Sequence, residues 1–350
     1  GKGRVRVEVK RGERSLKLKV NGKPDSSFIK RNFDVLISNE AFVQSGMRFQ
    51  KRELENGNIE FFSLDGRKLK DIPEKLGFLE KSIVTLAALH DNSEIQRLSE
   101  EESLLFNYLP TSDQRFGFPY LVNADFISKT DREFIQIENE WNHFLFHRIG
   151  RANIEWLQEL ASKTPETYLR LLPSRLLEEE NLELGLINRA FNRGFQSGLD
   201  DLKFVLSDQD ELLNIRDIFL DDTGLAKVFG NSFISRISGN SKCLPSARLD
   251  DELLRKEYLS IERYTGQQLI ADLRNERGKE FFVQRVLVAE ESEYKLFLSW
   301  LSEFAYGERT AVEWLLGLPF LRSRGKAFSL AEALRKEDYL LRSHRTKGIE

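Results

Sequence analysis

The chain has 350 residues, of which 40% are hydrophobic and 31% charged, so its composition is that of two or three globular domains and excludes a disordered chain. Its 53 basic and 56 acidic side chains nearly cancel, and the net charge of -3 argues against a dedicated nucleic-acid binder, although small basic clusters lie at residues 2–6 and 335–347. The single cysteine, Cys243, excludes an internal disulfide, and no apolar run reaches the ~18 residues of a membrane span, so we expect a cytoplasmic protein without a membrane or nucleic-acid partner.

The first 150 residues contain mostly strand patterns. Apolar and polar side chains alternate with period two over Arg4–Lys10 and Ser15–Val20, and a shorter strand pattern, Ile59–Leu64, follows an Asn-Gly turn. The apolar run Ile83–Leu89 has the length of a buried strand. A helix is predicted over Ser93–Phe106. The region is therefore expected to mix strands and helices.

From Thr130 onward the apolar period becomes helical. Thr130 and Glu133 have the spacing of a capping box, in which the hydroxyl accepts an amide hydrogen bond and the glutamate reaches back, so we predict a helix that begins here. Its apolar face is one broad stripe, formed by Phe134, Ile137, Trp141, Phe144, Leu145 and Ile149. Further helical patterns cover Asn153–Leu160, Pro165–Leu171 and Leu176–Gly194.

This change of pattern predicts two domains. The first is an α/β domain over residues 1–150 and the second a helix-rich α/β region over residues 151–350, with the boundary near Gly150. The second region contains a weak internal repeat, because residues 204–219 resemble residues 320–334 when one gap is allowed. Each copy reads as a strand, a polar turn, a second short strand and the start of a helix.

Few residues of the chain suggest catalytic chemistry. His143 and His147 lie four residues apart on the predicted helix, with Glu140 one turn earlier, and neutral imidazoles at this spacing converge on a zinc ion. The alternative is a pair of ordinary helix-surface histidines, since the glutamate of the H-E-x-x-H motif is missing. No phosphate-binding glycine loop and no nucleophile elbow occurs in the sequence. We therefore expect no resident metal and no complete catalytic site, so the chain on its own is not an enzyme.

One segment of the first region is more specific than these fragments. Its recognisable elements are Leu109–Thr111, Phe116–Pro119, Val122–Phe126, Arg132 and Trp141–Asn142. With these elements, residues 104–146 resemble the segment that follows the ATP-binding domain in sacsin-like proteins, which are relatives of the heat-shock chaperones in the GHKL ATPase group. A weaker likeness extends downstream to the strand–turn–strand pattern of residues 204–224.

The resemblance implies a fold of the α/β (α+β) class, in which a transducer domain with a ribosomal-protein-like left-handed βαβ fold is followed by helical and strand–turn–strand–helix modules. In the family, ATP and Mg²⁺ are bound by a separate N-terminal domain, so this chain is expected to hold no cofactor itself. Glu138–Asn142 and Asp222–Ala226 resemble two ATP-site motifs, but the first lies inside the resembling segment and the second ends in alanine. We therefore reject both, and from the ends at Gly1 and Glu350 we expect the chain to be a piece of a longer protein.

The resemblance also implies one site residue. In heat-shock relatives a basic residue of this domain, within a Ser-Arg-Glu motif, contacts the terminal phosphate of bound ATP. The matching positions are Asp131, Arg132 and Glu133, so Arg132 inherits the role. A guanidinium from another domain suits this chemistry, because phosphoryl transfer spreads negative charge over the terminal oxygens. The alternative is a helix-start arginine in a surface ion pair, with Asp131 replacing the serine of the family motif.

We therefore expect a non-catalytic middle or transducer region of a sacsin-like, chaperone-like ATPase. Its expected partners are its own N-terminal ATPase domain and client proteins, and its expected contribution to ATP hydrolysis is made through Arg132. One alternative is a scaffold region of a prokaryotic defence or nucleic-acid-processing ATPase. Another is a metalloenzyme that uses Glu140, His143 and His147.

Overall fold

A computed structural model describes residues 6–9, 16–19, 27–91, 93–99, 101–113, 115–307, 317–323 and 325–335 of the chain. The two basic clusters near the chain ends lie almost wholly outside these residues. The described residues form a mixed α/β structure of the α+β type, with eleven α-helices and several small sheets. None of those helices combines the length and the hydropathy that crossing a membrane requires.

The strands, in chain order, are β1 (Arg6–Val9), β2 (Leu16–Lys19), β3 (Ser27–Leu36), β4 (Phe49–Glu53), β5 (Ile59–Ser63), β6 (Lys81–Asp91), β7 (Glu94–Gln96), β8 (Leu105–Asn107), β9 (Leu109–Pro110), β10 (Leu121–Asn123), β11 (Lys203–Leu206), β12 (Leu212–Asn214), β13 (Phe219–Asp221), β14 (Glu262–Tyr264), β15 (Pro319–Ser323) and β16 (Lys326–Ser329). The α-helices are α1 (Asn39–Gln44), α2 (Glu74–Gly77), α3 (Glu140–Ala161), α4 (Gly185–Asp201), α5 (Ala226–Phe229), α6 (Asn231–Ser238), α7 (Asp251–Leu254), α8 (Gly266–Arg274), α9 (Glu276–Val288), α10 (Glu291–Gly307) and α11 (Leu330–Arg335). Short 3₁₀ helices cover Tyr168–Leu171, Ile215–Asp217 and Glu257–Leu259.

The chain divides into two compact units. The first unit comprises the residues up to Leu206 together with Asp210–Ile215 and Ser246–Ser260, and the second comprises Ser207–Gln209, Arg216–Pro245 and the residues from Ile261 onward. This division differs from the predicted boundary near Gly150, which lies in the middle of α3. The helix continues through the glycine because the backbone of α4 packs directly against it.

The largest sheet belongs to the first unit and has the strand order β3-β6-β10-β8-β9, with β7 also paired to β6. Strand β6 is central, and Val84, Leu86 and Ala88 on one of its faces are buried, as alternation with period two requires. The predicted strand over Ile83–Leu89 is therefore confirmed. The predictions for the two N-terminal strands are also confirmed, because β1 and β2 form an antiparallel pair.

Two predicted helical features of the first unit are wrong. The segment predicted as a helix over Ser93–Phe106 instead contributes strands β7 and β8, because their backbone groups pair with β6 and β10. Helix α3 begins at Glu140 and not near Thr130, because the side chain of Asn139 caps it by accepting the Trp141 N–H bond at 3.0 Å. Strand pairing outweighs the local helical pattern over Ser93–Phe106, and the Asn139 cap sets the start of α3.

Helices α3 and α4 pack closely through glycines. A Cβ atom on Gly194 would lie 1.8 Å from the backbone oxygen of His147, and one on Gly150 would lie 2.2 Å from that of Phe191. No other residue type fits at these two positions without movement of the backbone. The glycines therefore set the separation of the two helices.

The second unit has its own aromatic core. Phe229, Phe282 and Phe297 are buried together, and the rings of Phe229 and Phe297 stack with centroids 5.2 Å apart. Helices α5, α6, α8, α9 and α10 supply most of this core, with the parallel pair β13–β14 and the antiparallel pair β15–β16.

The two segments aligned as a repeat both form antiparallel hairpins, β11–β12 in the first unit and β15–β16 in the second. They differ in the next element along the chain. Helix α11 comes directly after β16, whereas a 3₁₀ helix and then β13 come after β12.

Candidate functional site

Arg132 lies in a turn that leads into α3 and not at a helix start. Ser128 and Ile135 form a β-bridge that closes the turn, which we name the Arg132 turn (residues 128–135). The Lys129 N–H donates to Phe134 O at 2.8 Å, and the Arg132 N–H donates to Lys129 O at 2.9 Å. Arg132 itself adopts the left-handed conformation, with φ of 58°. A long side chain rarely occupies this backbone region, so the turn is locally strained.

The Arg132 side chain is exposed. Among the residues that the structure describes, no carboxylate forms an ion pair with it. Asp131, its expected partner, instead uses Oδ1 to accept the Glu133 N–H bond at 3.0 Å. The guanidinium is therefore presented to solvent by a turn whose own acidic side chain is engaged with the backbone.

Helix α3 holds the turn through Trp141 and Asn142, the pair that carries part of the family resemblance. The buried Asn142 accepts from the Ile127 N–H at 2.9 Å and donates to Ile127 O and Gln136 O, each at 2.8 Å. The indole N–H of Trp141 donates to Asp125 O at 2.9 Å. These bonds fix the two ends of the Arg132 turn on a buried helix.

A second loop, residues 107–112, contacts the same segment from the other side. Asn107 donates to Phe126 O at 2.7 Å, and the Ser112 N–H donates to Glu133 O at 2.8 Å. The Tyr108 hydroxyl donates to Asp125 Oδ1 at 2.8 Å. The two loops are thus joined near both ends of the segment that presents Arg132.

The two loops and α2 enclose a cavity of about 940 Å³. Its lining carries three cationic side chains, Lys75, Lys129 and Arg132, and three carboxylates, Asp125, Asp131 and Glu133. Tyr108 also lines it, and with φ of 62° this residue is in the left-handed region as well. Strained residues of this kind cluster at binding and catalytic sites, so we take the cavity as the candidate functional site.

The histidine pair of α3 does not lie at this cavity. His143 Nε2 lies 2.6 Å from Ile137 O, so the Nε2–H tautomer donates a hydrogen bond there, and burial lowers the pKa of His143. Burial, followed by the charges of nearby arginines, lowers the pKa of His147 to about 4. In the described part of the chain, no group of three or more His, Cys, Asp or Glu residues is arranged to hold a metal ion. The geometry therefore does not bring Glu140 and the two histidines together as ligands.

The two segments that resemble ATP-site motifs have structural roles. In the first, Asn139 and Asn142 cap α3 and anchor the Arg132 turn. The second is held by the residue before it: the carboxylate of Asp221 accepts backbone N–H bonds from Thr223 at 2.9 Å and Ala226 at 2.8 Å, which orders the loop before α5.

The sequence pattern did not identify Tyr108 as a site residue. It stands beside the Leu109–Thr111 element, but nothing in the spacing indicates that it meets Asp125. A left-handed tyrosine also has no sequence signature.

Comparison with protein-family models, curated proteins and solved structures finds no match for this chain.

Proposed function

We propose that this chain is the middle, or transducer, region of a sacsin-like GHKL ATPase and that it couples ATP binding and hydrolysis in a separate N-terminal domain to partner proteins. The observation that carries the proposal is the exposed Arg132 guanidinium on a turn anchored from two sides. A basic residue that reaches a phosphate on another domain must be accessible and attached to a well-held backbone, and Arg132 is exposed on a turn whose flanking backbone is bonded to Asn142.

The fold and the family elements support the same proposal. The elements of residues 104–146 are spread over separate strands, loops and one helix, yet Leu109–Thr111, Asp125 and Arg132 line one cavity, and Trp141–Asn142 anchor it. The sheet of the first unit and the long α3 that packs on β3 and β6 suit a transducer domain. We assign the ribosomal-protein-like fold to this sheet and helix.

The proposed chemistry divides between two domains. ATP and Mg²⁺ belong to the N-terminal domain, and Arg132 neutralises charge on the terminal phosphate when the domains close. Hydrolysis then reports domain closure, which is how the region transmits the nucleotide state to client proteins. The chain has a single cysteine, Cys243, which is partly exposed, and this cysteine usage accords with a cytoplasmic location.

The test is steady-state ATP hydrolysis by the full-length protein, wild type against Arg132→Ala, with nucleotide binding measured in parallel. We expect kcat to fall by about 100-fold or more, as for other arginines that act on phosphoryl groups, while the nucleotide Kd stays within about 2-fold. The matched control is Arg175→Ala, because Arg175 is another exposed arginine of the first unit and lies outside the cavity.

Unchanged hydrolysis in Arg132→Ala would contradict the proposal, and so would a loss of nucleotide binding together with hydrolysis. Binding of DNA or RNA that weakens steeply with salt would favour the alternative, a scaffold region of a nucleic-acid-processing ATPase.

A further inference from the structure

Tyr108 is the most unusual side chain of the cavity. It is 83% exposed and has φ of 62°, a backbone conformation that aromatic residues seldom adopt. Neither burial of the ring nor an unstrained backbone explains why the chain keeps a tyrosine at this position. Its polar contacts do explain it.

Two hydroxyl groups, those of Tyr108 and Ser82, donate to the carboxylate of Asp125. The Tyr108 hydroxyl donates to Asp125 Oδ1 at 2.8 Å, and the Ser82 hydroxyl donates to Asp125 Oδ2 at 2.6 Å. The Tyr108 N–H donates to Asn123 Oδ1 at 3.2 Å. Because Asp125 is engaged through both oxygens, it lies fixed between β6 and the loop that carries Tyr108. The hydrogen bond to Asp125 also raises the pKa of Tyr108 above its ordinary value.

Asp125 begins the segment that ends at Glu133 and presents Arg132 near its far end. At that far end the Ser112 N–H donates to Glu133 O at 2.8 Å. The loop of residues 107–112 therefore holds this segment through Tyr108 and Asn107 near the start and through Ser112 at the end. The bond from Tyr108 is a side-chain bond that one substitution removes without changing the backbone.

We propose that Tyr108, through its hydrogen bond to Asp125, is a positioning residue that holds the Arg132 turn in its left-handed conformation on the surface of the cavity. The inference rests on the proposed function, because it gives Tyr108 a role in hydrolysis only through Arg132. The bond spans two loops that Asn107 and Ser112 also join, so its loss loosens them at Asp125 and lets the turn relax toward less strained conformations. A guanidinium displaced by about 1 Å loses much of its effect on a reacting phosphate.

The first measurement is amide hydrogen exchange in the chain itself, wild type against Tyr108→Phe. This variant keeps the exposed ring and removes only the donor, so the fold is retained. We expect exchange at Lys129, Arg132 and Glu133 to become about 3- to 10-fold faster, while amides of the β3–β6 ladder are unchanged. The matched control is Tyr306→Phe, because Tyr306 is 92% exposed and belongs to the second unit. Equal exchange in Tyr108→Phe and wild type would overturn the proposal whatever the hydrolysis shows.

The second measurement is hydrolysis by the full-length protein in a double-variant cycle with Arg132→Ala. We expect Tyr108→Phe to lower kcat about 10-fold without changing the nucleotide Kd, and to have no further effect once Arg132 is replaced. An additional loss in the double variant would overturn the proposal, because Tyr108 would then act independently of Arg132. If exchange responds but Arg132→Ala leaves hydrolysis unchanged, the proposed function fails while the control of the turn by Tyr108 stands.

Discussion

The helix pair α3–α4 and the loops around the Arg132 turn share one helix but are held together by different physics. Between the helices, Gly150 and Gly194 let backbone approach backbone, and apolar side chains fill the remaining space. Around the turn, polar side chains such as Asn107 and Asn142 bond to backbone groups of loops that are partly exposed. Dense packing of the first kind contributes most of the stability, since it removes apolar surface from water.

The difference shows that packing makes the helix pair rigid, whereas the loops around the turn leave the side chain of Arg132 exposed. A side chain that acts outside its own domain, as we propose for Arg132, cannot be buried, so packing cannot hold it. Directed hydrogen bonds instead hold the backbone of the turn, and they leave the guanidinium of Arg132 accessible. The comparison predicts large stability changes in the helix pair and small ones at the loops, where the changes should appear in local dynamics.

The largest effect is expected from Gly194→Ala. The new Cβ would meet the backbone oxygen of His147, so the helices must separate, although alanine favours helix formation by itself. We expect a loss of about 3–5 kcal/mol in the free energy of unfolding, measured by denaturant titration with tryptophan fluorescence. The control is Gln196→Ala on the exposed face of α4, which should change stability by less than about 0.5 kcal/mol. Equal stability of the two variants would show that the helices do not meet at Gly194.

A pH effect in the same helix pair comes next. The pKa of His147 is about 4 in the folded chain, below its ordinary value, because of burial first and then the charges of Arg151, Arg148 and Arg193. Below pH 6.5 His147 therefore binds a proton in the unfolded chain but not in the folded chain. The stability from this group is complete above pH 6.5 and is lost as the pH falls toward 4, by roughly 3 kcal/mol.

This pH effect is measured as the difference between wild type and His147→Gln in denaturant titrations from pH 7 to pH 4.5. The difference isolates His147 from the carboxylates that titrate in the same range. Parallel pH curves for the two proteins would contradict the lowered pKa, and direct titration of the imidazole by NMR provides an independent reading.

Asn142→Ala connects the two regions, because Asn142 lies on α3 and bonds to the loop. Removing its amide leaves Ile127 and Gln136 without their side-chain partner, at a cost of about 2 kcal/mol in the free energy of unfolding. Hydrogen exchange should also become faster throughout residues 127–136. Global destabilisation without faster local exchange would mean that Asn142 does not hold the turn.

The smallest effect is expected at Arg132 itself. Glycine tolerates the left-handed backbone at this position, so Arg132→Gly should raise the free energy of unfolding by about 0.5–1 kcal/mol, whereas Arg132→Ala should leave it nearly unchanged. Thermal unfolding of the two variants checks this difference. A destabilised Arg132→Gly would indicate that the arginine side chain supports the fold. The contrast between the packed helix pair and the exposed side chain of Arg132 would then fail.

Sequence patterns predicted β1, β2, β5 and β6 of the first unit, whereas β7 and β8 lie in a segment predicted as a helix. The apolar run around Val84 and Leu86 has the length of a buried strand, and these residues are buried on one face of β6 because side chains on a strand point to opposite faces in turn. The predicted apolar stripe, in contrast, fails at its start. Phe134 and Ile137 have helical spacing with Trp141, yet Asn139 caps the helix between them and Trp141, and the earlier residues follow the turn.

Arg132, the one site residue expected from the sequence, lines the candidate cavity. The family elements pointed to Arg132 and to its neighbours along the chain. Its surroundings were not predictable, because Tyr108 and Asp125 are 17 residues apart and their meeting depends on how the sheet sets β6, β8 and β10 beside one another. Likewise, Thr130 and Glu133 have the spacing of a capping box, but the structure forms a turn in which Asp131 accepts the Glu133 N–H bond and Asn142 anchors the flanking residues.

The sequence by itself determined the α+β character, the periods of several strands and the absence of an internal disulfide. The tertiary structure alone decided where α3 begins, why Gly150 lies inside a helix and how Arg132 is presented. Periodic burial is a property of neighbouring residues and can be read from the sequence. Close approach between distant backbones and hydrogen bonds across loops are properties of the packed chain, because their free energy is gained only once the helices and the sheet have come together.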